Sequence, residues 1–217
     1  MIKRFNEIHG INITKPEGQD RFAFAVSEFE DFYDVAHWEG KNGYRGAVIM
    51  FYDLENGSVY KPFGKERNVT YGKPVFCDGL FYFLKGDFNK REITLYSYLP
   101  ENICETAAVF NADETELYNL SLIGDGVNVV SQKDRFTCFY PYGFSFPLKG
   151  NETAVLIREN KVFIEAWTEE GWDSENDRAT DGYRFYNKVI VKDFDGKTLS
   201  EEIGSLYIAD NGTVWIS

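Results

Sequence analysis

The chain is 217 residues long, 43% apolar and 17% aromatic, enough to bury a substantial core without disulfides or metals. Its 23 basic and 35 acidic residues give a net charge of -12 and a pI near 4.7. Such a surface repels a phosphate backbone and an anionic bilayer, so nucleic acid and membrane are set aside as partners.

At the N-terminus, residues 1–15 hold Lys3, Arg4 and Glu7 and no apolar run or small-residue cleavage site, which reads as a segment other than a signal peptide. No stretch of 18 apolar residues follows. Six Asn-x-Ser/Thr triplets, at Asn12, Asn56, Asn68, Asn119, Asn151 and Asn211, then read as turn asparagines next to strand hydroxyls. Cys77, Cys104 and Cys138 have neither Cys-x-x-Cys spacing nor a nearby histidine, and each lies among apolar strand residues. They read as buried thiols of a reducing compartment, and the expected location is cytoplasmic.

Further along, short runs alternate apolar and polar residues between Gly, Asn and Asp, the pattern of half-buried strands joined by tight turns. Strands are expected at 22–27, 33–38, 47–52, 59–63, 80–84, 93–99, 127–131 and 136–140, and long amphipathic helices are not expected. A hairpin recurs as PVFCDGLFYFL at 74–84, SLIGDGVNVVS at 121–131, VLIRENKVFIE at 155–165 and LYIADNGTVWIS at 206–217, with a degenerate copy at 22–38. Its turns, Asp78-Gly79, Asp125-Gly126, Glu159-Asn160 and Asn211-Gly212, hold residues that accept positive φ.

A second strand pair follows each of the first four copies in chain order, so the repeating unit has four strands. Successive turns are 48, 47, 34 and 52 residues apart, near the period of a propeller blade. The expected fold is a single all-β domain over 1–217, a five-bladed β-propeller of four-stranded antiparallel blades. In its last blade the hairpin at 206–217 would pair with the N-terminal segments 2–5 and 11–13, closing the ring and removing open sheet edges. A four-bladed ring and a β-sandwich remain the alternatives.

The C-terminal LYIADNGTVWIS resembles the hairpin repeat of the propellers in two-component regulator sensors over about a dozen residues. It is also similar in part to the Asp-box of sialidase propellers, through Asp210, Gly212 and Trp215, although Ile208 and Val214 stand where that motif has hydroxyl residues. The resemblance implies architecture and no activity.

No Gly-x-Ser-x-Gly, P-loop or dinucleotide-binding fingerprint occurs, and no cofactor is expected. Neither His9 nor His37 has a triad or zinc partner at motif spacing, and His37 beside Trp38 reads as core or channel wall. The longest interruption of the strand pattern, TEEGWDSENDRATDGYR at 168–184, reads as an acidic loop. Asp173, Glu175, Asp177 and Asp181 fall at positions 1, 3, 5 and 9 of a calcium-loop register, but Arg178 and Arg184 occupy the positions that need Gly and Glu, so no metal is expected.

The same loop holds Trp172, a large aromatic among charges, and loops carry function in rigid scaffolds. The preferred reading is a non-catalytic binding module that engages a protein or a small polar ligand through Trp172, Asp173, Glu175, Asp177 and Asp181. Five-bladed propellers also include arabinanase-like and levansucrase-like glycosidases, and at fold level that likeness implies catalytic acids near the start of inner strands. Glu116, Glu152 and Glu202 fill that place in a hydrolase alternative. A structural subunit of a larger assembly is the third reading.

Overall fold

The computed structural model describes residues 2–124, 126–209 and 213–217. The described residues form an all-β fold with one short helix. In chain order the elements are β1 (Phe22–Val26), α1 (Phe32–Glu39), β2 (Ile49–Asp53), β3 (Val59–Tyr60), β4 (Val69–Tyr71), β5 (Val75–Cys77), β6 (Leu80–Asp87), β7 (Glu92–Leu99) and β8 (Ile103–Asn111). There follow β9 (Ser121–Ile123), β10 (Asn128–Gln132), β11 (Arg135–Tyr140), β12 (Phe144–Pro147), β13 (Glu152–Arg158), β14 (Lys161–Asp173), β15 (Arg178–Asp193), β16 (Thr198–Ile203), β17 (Leu206–Ile208) and β18 (Val214–Ile216).

The chain divides into two compact units, Met1–Leu122 with Val129–Ser131, and Ile123–Asn128 with Gln132–Ser217. In the first, β1, β2 and β3 form one antiparallel sheet, and β4, β6, β7 and β8 a second, with β5 on the end of β6. Apolar side chains at every second position meet in an aromatic core. Phe51 packs on Phe81 and Tyr98 at ring-centroid distances of 5.0 and 4.7 Å, and Phe83 lies between Phe51 and Tyr71.

In the second unit, β13, β14, β15 and β16 form a four-stranded antiparallel meander, and among the described residues β17 pairs with β18 alone. The division between units falls inside β9 and β10, whose sheet runs β12-β11-β10-β9. Two of the expected hairpin turns have the required backbone. Asp78 and Gly79 lie at φ of 49° and 82°, and Glu159 and Asn160 at 51° and 58°. Asp125 and the turn at Asn211-Gly212 lie outside the described residues.

Several expectations are corrected. Residues 33–38 are helical, not a strand, because Phe32 and Val35, three apart, are the buried pair of one helical face. Asp34 in the first turn also suits the helix dipole. His37 is exposed, its Nε2 2.8 Å from the Lys41 ammonium, so it is not core. Cys138 is buried, but Cys77 is half-buried and Cys104 exposed on edge strand β8.

The described residues form no closed sheet. The N-terminal segment bonds within the first unit, where Thr14 exchanges two backbone hydrogen bonds with Phe24 and the Asn6 N–H donates to Gly57. Its strand-pairing capacity is spent on the sheet of β1–β3, so the described pairings contain no blade shared between the termini. Trp215 is 60% exposed. The segment at 168–181 is no open loop either: β14 runs through Asp173 and β15 starts at Arg178, leaving a four-residue turn. The strands therefore outrun their neighbours β13 and β16 and project as a two-stranded ribbon.

Candidate functional site

The ribbon exists because β14 and β15 go on pairing with each other past the point where the acidic residues begin. Register pairs Trp167 with Asn187, Thr168 with Tyr186, Glu169 with Phe185 and Glu170 with Arg184. Side chains directly opposite share a face, so the ribbon has two distinct sides. Thr168, Glu170, Arg184 and Tyr186 line one, and Trp167, Glu169, Tyr183, Phe185 and Asn187 the other. At Gly171 the register breaks, and Trp172 resumes pairing opposite Ala179. Gly171 sits at φ +76°, and a Cβ there would lie 2.6 Å from the Gly182 carbonyl oxygen, so both conformation and space call for glycine.

The first side is closed on itself. Arg184 donates to Glu170 from Nε at 2.7 Å and from Nη2 at 2.6 Å, and its guanidinium lies 5.3 Å from the centre of the Tyr186 ring. The Tyr186 hydroxyl donates to the same carboxylate at 2.6 Å. Hydrogen bonds from Tyr186 and then Arg184 hold the Glu170 carboxyl below its ordinary range, and the same contacts raise the Tyr186 phenol and the Arg184 guanidinium.

The second side is aromatic and open. Trp172 meets the Tyr183 ring edge-on at 5.8 Å, and Tyr183 meets Phe185 at 6.5 Å. Trp167, Trp172 and Phe185 are 49%, 43% and 65% exposed. Glu169 accepts the Tyr183 hydroxyl at 2.8 Å, a bond that pushes the phenol above its ordinary range. At the base of this side, the Glu165 carboxylate accepts the Leu206 N–H at 2.6 Å and the Asn187 amide donates to the Ser205 hydroxyl at 2.7 Å. The β17–β18 hairpin is thus fixed against the sheet below the ribbon. There it presents Tyr207 and Trp215, opposite one another in register and each 60% exposed.

Of the candidate ligand-binding residues, Trp172 belongs to the aromatic side. Asp173 is spent on its own turn: its carboxylate accepts the N–H groups of Glu175 and Asn176, both at 3.2 Å, and the Asn176 amide at 2.8 Å. Those bonds, the Asn176 side chain first, lower its pKa. Glu175 and Asp177 sit in that turn, and Asp181 is exposed on β15. Among the described residues no three carboxylates, thiols or imidazoles are grouped as a metal site.

The hydrolase candidates do not converge within the second unit. Glu152 on β13 and Glu202 on β16 are three strands apart, about 14 Å at the usual strand spacing, and register puts them on opposite faces of the sheet. Glu152 is also buried and ion-paired with Lys192 at 3.0 Å. Glu116, in the first unit, is exposed and accepts the Tyr118 N–H at 3.0 Å. Burial raises the thiol pKa of Cys138, which disfavours the thiolate that nucleophilic chemistry needs.

A separate cleft of about 330 Å³ in the second unit lies among Asn128, Tyr142, Ile157, Arg158 and Glu159. The Asn128 amide donates to the Ile123 carbonyl at 3.1 Å, so it serves its own turn. Trp167, Glu169, Tyr183 and Phe185 are the site residues that a loop reading of 168–181 misses. The aromatic run Tyr183, Phe185 and Tyr186, leading within three residues to the apolar β-branched residues 189–191, is the signal that marks them. No protein-family model matches the chain, and no curated protein is similar to it in sequence.

Proposed function

We propose that the protein is a non-catalytic binding module whose recognition surface is the aromatic side of the β14–β15 ribbon, and that its partner is a protein. The observation that carries this reading is the line Trp172, Tyr183, Phe185, held open on a projecting ribbon of an otherwise strongly acidic chain. Large aromatics cost hydration when exposed together and supply most of the energy of protein interfaces when covered. The four-stranded meander of β13–β16 and the sheet of β9–β12 support blades of a propeller-like array as the scaffold. Three free cysteines support a reducing, cytoplasmic setting.

Replacing Phe185 with a photo-crosslinking phenylalanine tests the reading in the cells that make the protein. A discrete protein adduct should form at 185 and not when the same group replaces Val109, an exposed residue of β8. Equal labelling from both positions, or none from 185, rejects it.

A further inference from the structure

We propose that the aromatic side of the ribbon takes an arginine side chain of the partner protein, with Glu169 receiving the guanidinium and the rings of Tyr183, Phe185 and Trp172 flanking it. The inference rests on the reading of this surface as a protein-binding face and names the chemistry of its partner. Its main support is that the two sides of the ribbon repeat one arrangement. On one side a carboxylate, Glu170, accepts a tyrosine hydroxyl and binds a guanidinium that lies against an aromatic ring. On the other, Glu169 accepts the Tyr183 hydroxyl in the same way, beside Phe185 and Trp172. Among the described residues no basic side chain is ion-paired with Glu169.

Charge points the same way. Residues 167–187 carry six acidic and two basic side chains, and both basic ones are engaged within the ribbon: Arg184 with Glu170, and Arg178 3.8 Å from Asp173. A cation approaching the aromatic side meets a net negative field, and ring faces attract it further. Arginine suits this site better than lysine, because its planar group can pair with a carboxylate through two parallel bonds while stacking on a ring. Glu169 is already oriented by Tyr183, so less side-chain freedom is lost on binding.

Fluorescence anisotropy of the full chain against a labelled peptide of alternating arginine and serine tests the proposal. Control peptides carry citrulline, lysine or glutamate in place of arginine. Citrulline keeps the shape and removes the charge, and should bind about tenfold or more weakly, with lysine between the two. Glu169→Gln and Phe185→Ala should each weaken the arginine peptide by about tenfold with unchanged thermal melts, whereas Glu105→Gln on exposed β8 should leave it unaltered. Equal affinity for the arginine and citrulline peptides, binding indifferent to both ribbon variants, or displacement of the arginine peptide by a neutral glycan overturns it. If the adduct at 185 still forms while arginine shows no advantage, only the arginine inference falls. If the adduct is also missing, the binding face falls with it.

Discussion

Glu169 and Tyr183 are joined across β14 and β15 by a 2.8 Å hydrogen bond, and on the reverse side of the same ribbon Glu170 and Tyr186 are joined at 2.6 Å. Two adjacent glutamates therefore serve opposite faces, a direct result of strand alternation. One of them neutralises an arginine of its own chain. The other lies among exposed rings, which is what separates a self-contained surface from one suited to a partner.

A surface of this kind can be altered without loss of the fold. Trp172 contributes an edge contact to Tyr183 and is 43% exposed on a ribbon outside the core, so Trp172→Ala should cost about 1 kcal/mol. Phe83, fully buried among Phe51, Tyr71 and Tyr96, should cost about 3–5 kcal/mol on the same change. Urea melts of both variants measure the contrast. Equal destabilisation would mean that Trp172 is a packing residue.

Gly171 sets the geometry of the aromatic side. With φ +76° and the Gly182 carbonyl in the path of any Cβ, Gly171→Ala should shift the register beyond the break and cost about 1–3 kcal/mol locally. Amide exchange should speed up at 172–183 while β13 and β16 keep their protection. The edge-on contact of Trp172 with Tyr183 should be lost as well, seen as a changed tryptophan emission.

The turn between β14 and β15 should not take up calcium. Asp173, the first residue of the calcium-like register, already accepts two backbone N–H groups and the Asn176 amide, and Arg178 and Arg184 occupy key positions of that register. Calorimetric titration with calcium should give no binding heat. Asp173→Ala should instead loosen the turn, by about 0.5–2 kcal/mol as for other lost side-chain caps of backbone N–H groups. Micromolar calcium affinity abolished by that variant would restore a metal role.

The hairpins at 74–84 and 155–165 could be read from sequence because their turn residues and alternation agree, so local preference and tertiary pairing point to one structure. The helix at Phe32–Glu39 was not legible, since in eight residues the buried pair Phe32 and Val35 competes with the overlapping alternation of Tyr33, Val35 and His37. Acidic residues hid the ribbon. Polarity suggested a loop, whereas cross-strand partners such as Arg184 for Glu170 make those charges compatible with a strand. The destination of the C-terminal hairpin lay beyond sequence reasoning, because it depends on single contacts from Glu165 and Asn187.

Acid should weaken the first unit through Asp53. Burial alone would raise its pKa, but Arg21, at 2.7 Å, and the N–H groups of Glu55 and Asn56 outweigh that and lower it below the ordinary carboxyl value. A carboxyl lowered on folding contributes stability that is complete above its unfolded pKa, about 3.9, and is lost as pH falls through the folded value. Asp53→Asn should reduce stability near neutrality by about 1–3 kcal/mol and flatten the acid limb below about pH 4. Denaturant midpoints of both proteins from pH 7 downward test this, and parallel acid limbs would assign the sensitivity to other groups.

Lys192 and Glu152 form a buried ion pair in the second unit, at 3.0 Å between β15 and β13, with both side chains at least nine-tenths buried. Glu152 also accepts the Lys149 N–H at 3.2 Å, and the Lys192 ammonium lies 5.3 Å from the Phe146 ring centre. Taking two charges out of water costs several kcal/mol per ion, so the pair adds little net stability and each charge depends on the other. Lys192→Met keeps the volume of the stem and leaves the buried Glu152 with only the exposed Lys149 ammonium, 3.7 Å away, which should cost up to about 3–5 kcal/mol at neutral pH. In Lys192→Met with Glu152→Leu no charge remains, and much of the stability should return. A catalytic Glu152 would behave differently: Lys192→Met would abolish a glycan-hydrolysing activity, and the double variant would recover stability without recovering turnover. Melts and hydrolysis assays on the three proteins separate a structural carboxylate from a catalytic one, and the 3.0 Å contact with Lys192 supports the structural role.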